Sequence, residues 1–194
     1  MVSVTERSPA RTRLLDAAES MLFDRGIRAT SVDELLRRAE VSAATLYAQF
    51  GSKDALIAEV LRLRLADWQA AWDQHIIAAD DDTSRLLALF DALADYRDTR
   101  GAPGRWCAFL ATATELPDAT DDIRRILSAD TELLTTRLLH FSRPLAGARA
   151  QDLADEVLMA YNGTLVAFLR GRPAAPIETG RRLAAAAVRT HSQG

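Results

Sequence analysis

Residues 30–56 read TSVDELLRRAEVSAATLYAQFGSKDAL, and this stretch decides the fold of the first part of the chain. Ser31 and Glu34 have the spacing of a capping box, so a helix is predicted to begin there. That helix ends near Glu40, and Ser42 can cap a second short helix. Two short helices joined by a tight turn form a helix-turn-helix unit.

Outside this stretch, apolar residues recur every three or four positions, and no segment alternates with the period of two that is typical of a strand. The sequence therefore predicts an all-α protein with a three-helix head, residues 1–55, on a helical body, residues 56–194. About nine helices are expected, over 9–25, 31–38, 42–49, 52–79, 83–100, 104–116, 119–141, 149–170 and 176–191.

Composition narrows the class of protein. The chain has 194 residues, 48% of them hydrophobic, which is enough for a core. Its formal charge of −3 belongs to the body, because the head has eight bases and eight acids. A single cysteine excludes an intramolecular disulfide framework and a four-cysteine zinc site. With no secretory signal pattern and no apolar run of membrane-spanning length, we expect a soluble cytoplasmic protein.

Several motifs in residues 11–60 resemble the TetR (tetracycline-repressor-like) family of bacterial transcription regulators. They are TSVDEL at 30–35, AEVS at 39–42, TLY at 45–47 and FGSKDAL at 50–56. The resemblance implies a helix-turn-helix head that binds DNA and a body that encloses an effector pocket and forms a homodimer. Glu40 departs from the family, which often has glycine at this turn. A positive φ at Glu40 would cost about 1 kcal/mol.

The second helix of the head carries short or hydrogen-bonding side chains, which suit base edges in the major groove. The candidate base contacts are Ser42, Ala43, Ala44, Thr45 and Gln49. Gln49 has the amide that pairs with adenine, although a solvated glutamine is an equal alternative. The family position of Tyr47 implies a phosphate contact, against the alternative of simple packing.

Phosphate contacts are also predicted at two helix starts. Lys53, the single lysine, lies in the first turn after Gly51, where free amides and the helix dipole already favour an anion. Thr30 and Ser31, at the start of the preceding helix, are predicted to bind a second phosphate in the same way.

The body carries aromatic side chains at helical spacing. These could line an apolar cavity for a small lipophilic or aromatic effector, or form ordinary core. The candidate pocket residues are Trp68, Trp72, His75, Phe90, Trp106, Cys107, Leu110, Thr114 and Tyr161.

The last two predicted helices have apolar faces that suit a four-helix bundle between two subunits. The candidate interface residues are Leu153, Val157, Leu165, Phe168, Leu183 and Ala187. Such a dimer would place two recognition helices about one DNA turn apart on a palindromic operator.

The sequence favours a ligand-responsive repressor over two alternatives, an enzyme that uses the body pocket and a helical adaptor that binds protein. No cofactor motif and no catalytic constellation is present in the sequence. His75, Cys107 and His140 lack the spacing of metal ligands, so no metal site is expected.

Overall fold

The computed structural model describes residues 8–99 and 107–192, and every regular element in these two ranges is helical. The predicted all-α class is confirmed. The helices are α1 (Pro9–Arg25), α2 (Val32–Ala39), α3 (Ala43–Phe50), α4 (Lys53–Ala78), α5 (Asp82–Thr99), α6 (Ala108–Glu115), α7 (Asp121–Ala146), α8 (Ala150–Arg170) and α9 (Pro176–Ser192), with a 3₁₀ turn at Gly147–Arg149. None of the helices in the described residues is long and apolar enough to cross a bilayer.

Two helices differ from their predicted bounds by more than two residues. α7 runs to Ala146 rather than to residue 141, with Pro144 inside its last turn. Proline has no N–H to donate to the carbonyl of residue 140, and the helix continues for only two residues beyond it. The predicted sixth helix begins at 104, but 104–106 lie outside the described residues and α6 begins at Ala108.

The predicted caps of the helix-turn-helix are present. The amide of Glu34 donates to Ser31 Oγ at 3.2 Å, and the amide of Ser31 donates to Glu34 Oε2 at 3.0 Å, which completes the capping box. Ser42 Oγ accepts from the amide of Thr45 at 3.2 Å. These local bonds define where α2 and α3 begin, since they satisfy amides that have no partner within the helix.

The chain separates into two compact units. The first unit contains residues 8–64 and 108–127, and the second contains 65–99, 107 and 128–192. α6 and the beginning of α7 thus belong with the helix-turn-helix rather than with the later helices.

The core of the first unit forms where α1, α2, α3 and α4 bring their apolar faces together. Its fully buried side chains include Leu14, Leu22, Leu35, Leu46 and Leu56. Two arginines of α1 bind neighbouring helices at the edge of this core. Arg13 Nε donates to the carbonyl of Ala39 in α2 at 2.9 Å, and Arg11 forms an ion pair with Glu59 in α4 at 2.8 Å.

The core of the second unit contains an aromatic cluster, defined as Trp68, Trp72, Phe90, Tyr96 and Tyr161. The Trp68 ring is central, with centroid distances of 5.9 Å to Trp72, 5.6 Å to Tyr96 and 6.1 Å to Tyr161. Phe90 lies edge-on to Tyr161 at 6.4 Å. α4, α5 and α8 therefore supply one continuous set of ring contacts.

Candidate functional site

α3 has one buried face and one exposed face. Leu46 is fully buried, whereas Ala43, Ala44 and Ser42 are exposed and Tyr47 is 54% exposed. The predicted recognition side chains thus lie on the surface of the first unit, and the alanines leave room for close approach. A helix with this face can enter a major groove.

Two of the predicted base contacts, Thr45 and Gln49, differ in whether their side chains already make a hydrogen bond within the protein. Thr45 Oγ1 lies 2.9 Å from Ser42 Oγ, so these two hydroxyls share one hydrogen bond. Within the described residues no hydrogen bond to the side-chain amide of Gln49 is found. The backbone carbonyl of Gln49 accepts from Arg11 Nη1 at 3.3 Å. Gln49 therefore keeps both its amide donor and its acceptor for a base edge.

Lys53 is bound to the loop that precedes α2. Its Nζ donates to the carbonyl of Ile27 at 2.9 Å and to the carbonyl of Thr30 at 2.5 Å. Partial burial lowers the pKa of Lys53, and the charges of Asp54 and Glu115 oppose that shift. The ammonium group has three N–H donors, so one donor remains after these two bonds.

At the start of α2, groups that the sequence predicts to bind phosphate already make hydrogen bonds within the chain. Thr30 is 1% exposed, and its hydroxyl is directed at the carbonyls of Gly26 (2.9 Å) and Met21 (3.2 Å). That hydroxyl is unavailable to a phosphate, which leaves backbone amides and Ser31 for the predicted contact. Bonds from the Ser31 amide and hydroxyl lower the pKa of Glu34, so an anionic carboxylate also lies at this helix start.

Glu40 ends α2 in the left-handed conformation, with φ 52° and ψ 49°. The turn at which the family often has glycine therefore does carry a positive φ in this chain. A non-glycine residue in this region costs on the order of 1 kcal/mol.

The end of α6 contacts the loop before α2, which no motif in the sequence indicates. Glu115 Oε2 accepts from the amide of Arg28 at 3.1 Å, and Arg28 Nε donates to the carbonyl of Glu115 at 2.6 Å. A side chain at Gly26 would meet the Glu115 carboxylate at 3.2 Å. No local pattern links positions 87 residues apart, so this contact was not readable from the sequence.

The predicted pocket residues divide among several places. Trp68, Trp72, Phe90 and Tyr161 are all buried in the aromatic cluster. His75 is half-buried, and its Nε2 lies 2.9 Å from Asp95 Oδ2. Cys107 is half-buried and lies near Tyr161. Leu110 and Thr114 lie on α6, in the first unit. Trp106 lies outside the described residues.

Asp130 is a buried carboxyl that the sequence analysis did not single out. It is 9% exposed, and burial raises its pKa to about 7. Burial also raises the pKa of Tyr161, and the charges of Cys107, Asp130 and Tyr96 add to that shift. Asp130 stands seven residues after Ile123 and four before Leu134, both buried, so an acid on the apolar stripe of α7 was the available signal.

Half of the predicted interface residues are core. Leu153, Val157 and Leu165 are at most 3% exposed, so placing them against a partner is corrected: they pack inside the second unit. Phe168 is half-buried under the guanidinium of Arg97, 3.6 Å from the ring centroid. The predicted residues that remain accessible are Leu183, 60% exposed, and the half-buried Ala187.

Comparison with known proteins decides the family. A family profile described as "Bacterial regulatory proteins, tetR family" matches residues 14–60. The chain is 30% identical over 185 residues to the HTH-type transcriptional regulator BetI of Burkholderia ambifaria, covering 92% of this chain and 91% of that protein. The chain belongs to the TetR family of transcriptional regulators.

Solved structures agree with this assignment at the level of the fold. A TetR-family transcriptional regulator from Streptomyces coelicolor superposes with a TM-score of 0.86 at 24% identity, covering 96% of this chain and 97% of that chain. A putative TetR regulator from Streptomyces avermitilis gives 0.74 at 25% identity, covering 93% and 98%.

Like its relatives, this TetR-family protein is a DNA-binding transcriptional regulator and not an enzyme. The profile match spans most of α1, all of α2 and α3, and the first turns of α4, which include Lys53. The aromatic cluster and Asp130 lie outside the matched segment.

Proposed function

We propose that this TetR-family regulator is a homodimeric repressor that a small effector releases from a palindromic operator. The observation that carries the proposal is the surface of α3, where Ser42, Ala43 and Ala44 are exposed and the side-chain amide of Gln49 has no hydrogen bond among the described residues. A selection of genomic fragments on the purified protein tests it. We expect palindromic sites with half-sites about one helical turn apart. Sites without two-fold symmetry would contradict the proposal.

Gln49 is proposed to read one base pair. We expect Gln49→Ala to abolish preference at that position, at a cost of about 1–3 kcal/mol on the preferred sequence, because the bidentate pair with adenine is lost. Binding to random DNA should not change. Competition among operators that differ at single base pairs measures this, and Gln74→Ala on the exposed surface of α4 is the matched control. Equal losses on specific and random DNA would refute base reading.

Lys53 is proposed to hold a phosphate with its third N–H while its other two bonds hold the loop before α2. We expect Lys53→Ala to weaken binding to all sequences and to lower the salt slope of log K by about one unit. Lys53→Arg, which keeps the charge, should retain the slope. A loss of affinity with an unchanged slope would mean that Lys53 acts only by positioning the loop.

The dimer interface is proposed to lie on the exposed sides of α8 and α9, which pack against each other in the second unit. On α8, Met159 is 69% exposed and Val166 is 36% exposed, at the spacing of two helical turns. Between them, a Cβ at Gly163 would meet no atom within 4 Å, so a partner helix has room to approach. Leu183 extends the apolar surface on α9.

Leu183→Glu is expected to weaken the dimer by at least about 100-fold, because association would bury an unpaired carboxylate in an apolar interface. Sedimentation equilibrium over a range of concentrations measures the dissociation constant. The matched control is Ile77→Glu, the same kind of change at an 83% exposed apolar residue of α4. A dimer unaffected by Leu183→Glu would place the interface elsewhere.

The effector is proposed to bind at the aromatic cluster and to act through α4. This helix carries Lys53 at its first residue and Trp68 and Trp72 further along, so residues of both sites belong to one helix. A ligand that favours one position of α4 over another changes the affinity for DNA by the same free energy that DNA exerts on ligand binding.

A further inference from the structure

The C-terminal end of α3 is held by an arginine of α1. Arg11 Nη1 donates to the backbone carbonyl of Gln49 at 3.3 Å, and the guanidinium carbon lies 4.4 Å from the centroid of the Phe50 ring. Gln49 is the last residue but one of α3, so its carbonyl is among those at a helix end that have no amide partner within the helix. Arg11 therefore supplies a donor and a cation–π contact to the last turn of α3.

The charge of Arg11 suits this helix end. The free carbonyls at the C-terminus of a helix carry a partial negative charge, which a nearby cation stabilises. The last turn of α3 has no basic residue of its own, whereas the last turn of α2 has Arg37 and Arg38. The cation that complements the end of α3 thus comes from another helix, and it joins α3 to α1.

The other terminal nitrogen of Arg11 binds α4. Nη2 donates to Glu59 Oε1 at 2.8 Å, and Glu59 Oε2 accepts from Arg62 Nε, also at 2.8 Å. The hydrogen bond from Arg62 lowers the pKa of Glu59 against the opposing effect of burial, and the bond from Arg11 adds to this lowering. The carboxylate is therefore a lasting counter-ion for Arg11. One guanidinium thus joins three helices of the first unit, α1, α3 and α4.

The segment that leads into α3 is held by a second arginine of α1. Arg13 Nε donates at 2.9 Å to the carbonyl of Ala39, the last residue of α2, and the turn from there to Ser42 begins α3. Arg11 and Arg13 thus bind the C-terminal ends of both helices of the helix-turn-helix. Because α3 has only eight residues, it is too short to be stable alone, and its direction depends on such tertiary contacts.

We infer that Arg11 is a positioning residue for base recognition, which fixes the backbone of Gln49 and the direction of α3 without contacting DNA. The inference rests on the proposed function, since it concerns the same recognition helix. Arginines commonly bind DNA phosphates, but here both terminal nitrogens donate to acceptors of the protein. A hydrogen bond to a base edge requires donor and acceptor to lie about 3 Å apart, so a small shift of α3 weakens it.

Fluorescence anisotropy with the selected operator and with random DNA of the same length, at several salt concentrations, tests this role. We expect Arg11→Met to lower the ratio of the two affinities at least about tenfold, because a displaced α3 loses base contacts of this size. The salt slope of log K should not change. Arg125→Met, at an exposed position of α7 in the first unit, removes the same charge and should alter neither. An unchanged ratio, or a slope lowered by about one unit, would overturn the inference.

Glu59→Ala separates positioning from phosphate binding, because it releases Arg11 from α4 and leaves its charge in place. A positioning role predicts a lower ratio of operator to random affinity, as in Arg11→Met. A phosphate-binding role predicts tighter binding to both DNAs at an unchanged ratio, which would overturn the inference. All binding is measured well below the melting temperature of each variant, since a merely structural role lowers that temperature and leaves the ratio unchanged. In a Gln49→Ala background, Arg11→Met should no longer affect the base pair that Gln49 reads.

Amide hydrogen exchange without DNA separates this inference from the proposed function. The Gly51 amide donates to the carbonyl of Tyr47 at 2.9 Å, in the turn that Arg11 holds, so Arg11→Met should speed its exchange at least about tenfold. Amides of α5, in the second unit, should not change. If exchange rises but no palindromic operator is selected, the positioning of α3 stands and the proposed function fails. If an operator is bound and Arg11→Met changes neither exchange nor the affinity ratio, the inference alone fails.

Discussion

Asp130→Asn is expected to stabilise the protein by up to roughly 4 kcal/mol at pH 8 and by almost nothing below pH 4. Burial raises the pKa of Asp130 from 3.8 to about 7. Each unit of difference between folded and unfolded states is worth about 1.4 kcal/mol. The amide has the shape of the carboxyl but does not ionise, so it avoids this cost.

The sign of the pH dependence follows from the raised pKa. Because the folded state binds the proton more tightly, stability from this group is complete below pH 3.8 and is lost as the pH rises to about 7.

Urea unfolding of both proteins at pH 4, 6 and 8 measures the effect. The difference in unfolding free energy between Asp130→Asn and the wild type should grow with pH and become constant above about pH 7. Asp152→Asn, at an exposed position of α8, is the matched control that removes the same formal charge without a buried carboxyl. A difference that is constant from pH 4 to pH 8 would mean that Asp130 is ionised throughout.

Gly180→Ala is expected to destabilise the second unit by about 3 kcal/mol, a value typical of overpacking. A Cβ at this position would lie 1.9 Å from Thr164 Oγ1 and 2.9 Å from Phe90 Cε1. α9 can therefore approach α8 and α5 closely only because residue 180 has no side chain. Thermal and urea unfolding measure the loss.

Gly163→Ala makes the same change inside α8, where a Cβ would meet no atom of the same chain within 4 Å. Because Gly163 lies in the proposed dimer interface, the two glycine variants are compared in the Leu183→Glu background, which weakens that interface. There Gly163→Ala should stabilise the helix by about 0.5–1 kcal/mol, from helix propensity alone. Adding Thr164→Ala to Gly180→Ala removes the nearest clashing atom and should recover part of the loss. A neutral Gly180→Ala would contradict the close packing of these helices.

The parts of the molecule that were predictable from the sequence depend on neighbours in the chain. The capping box of Ser31 and Glu34 and the cap at Ser42 each involve residues within a few positions. Their chemistry is local, so a short stretch of sequence contains all of it. The helical class follows for the same reason, from the spacing of apolar residues.

Tertiary packing decided the rest. The sequence predicts that Thr30 and Lys53 bind phosphate. In the folded chain the Thr30 hydroxyl and the Lys53 ammonium donate to backbone carbonyls of residues 21–30, which only the tertiary fold brings close to them. Leu153, Val157 and Leu165 form an apolar stripe, but periodicity alone does not distinguish a face toward the protein's own core from a face toward a partner. The exposed Met159 and Val166 lie on another side of the same helix.

The bond between Arg28 and Glu115 makes one amide a reporter of α6. The Arg28 amide donates to a carboxylate that belongs to α6, so its hydrogen exchange is slowed only while that helix end stays in place. A titration of the protein with ligand, followed by amide exchange at Arg28, would therefore detect movement of α6 without any DNA present. The amide of Arg28, in the loop before α2, thus reports on the position of α6, which is 87 residues further along the chain.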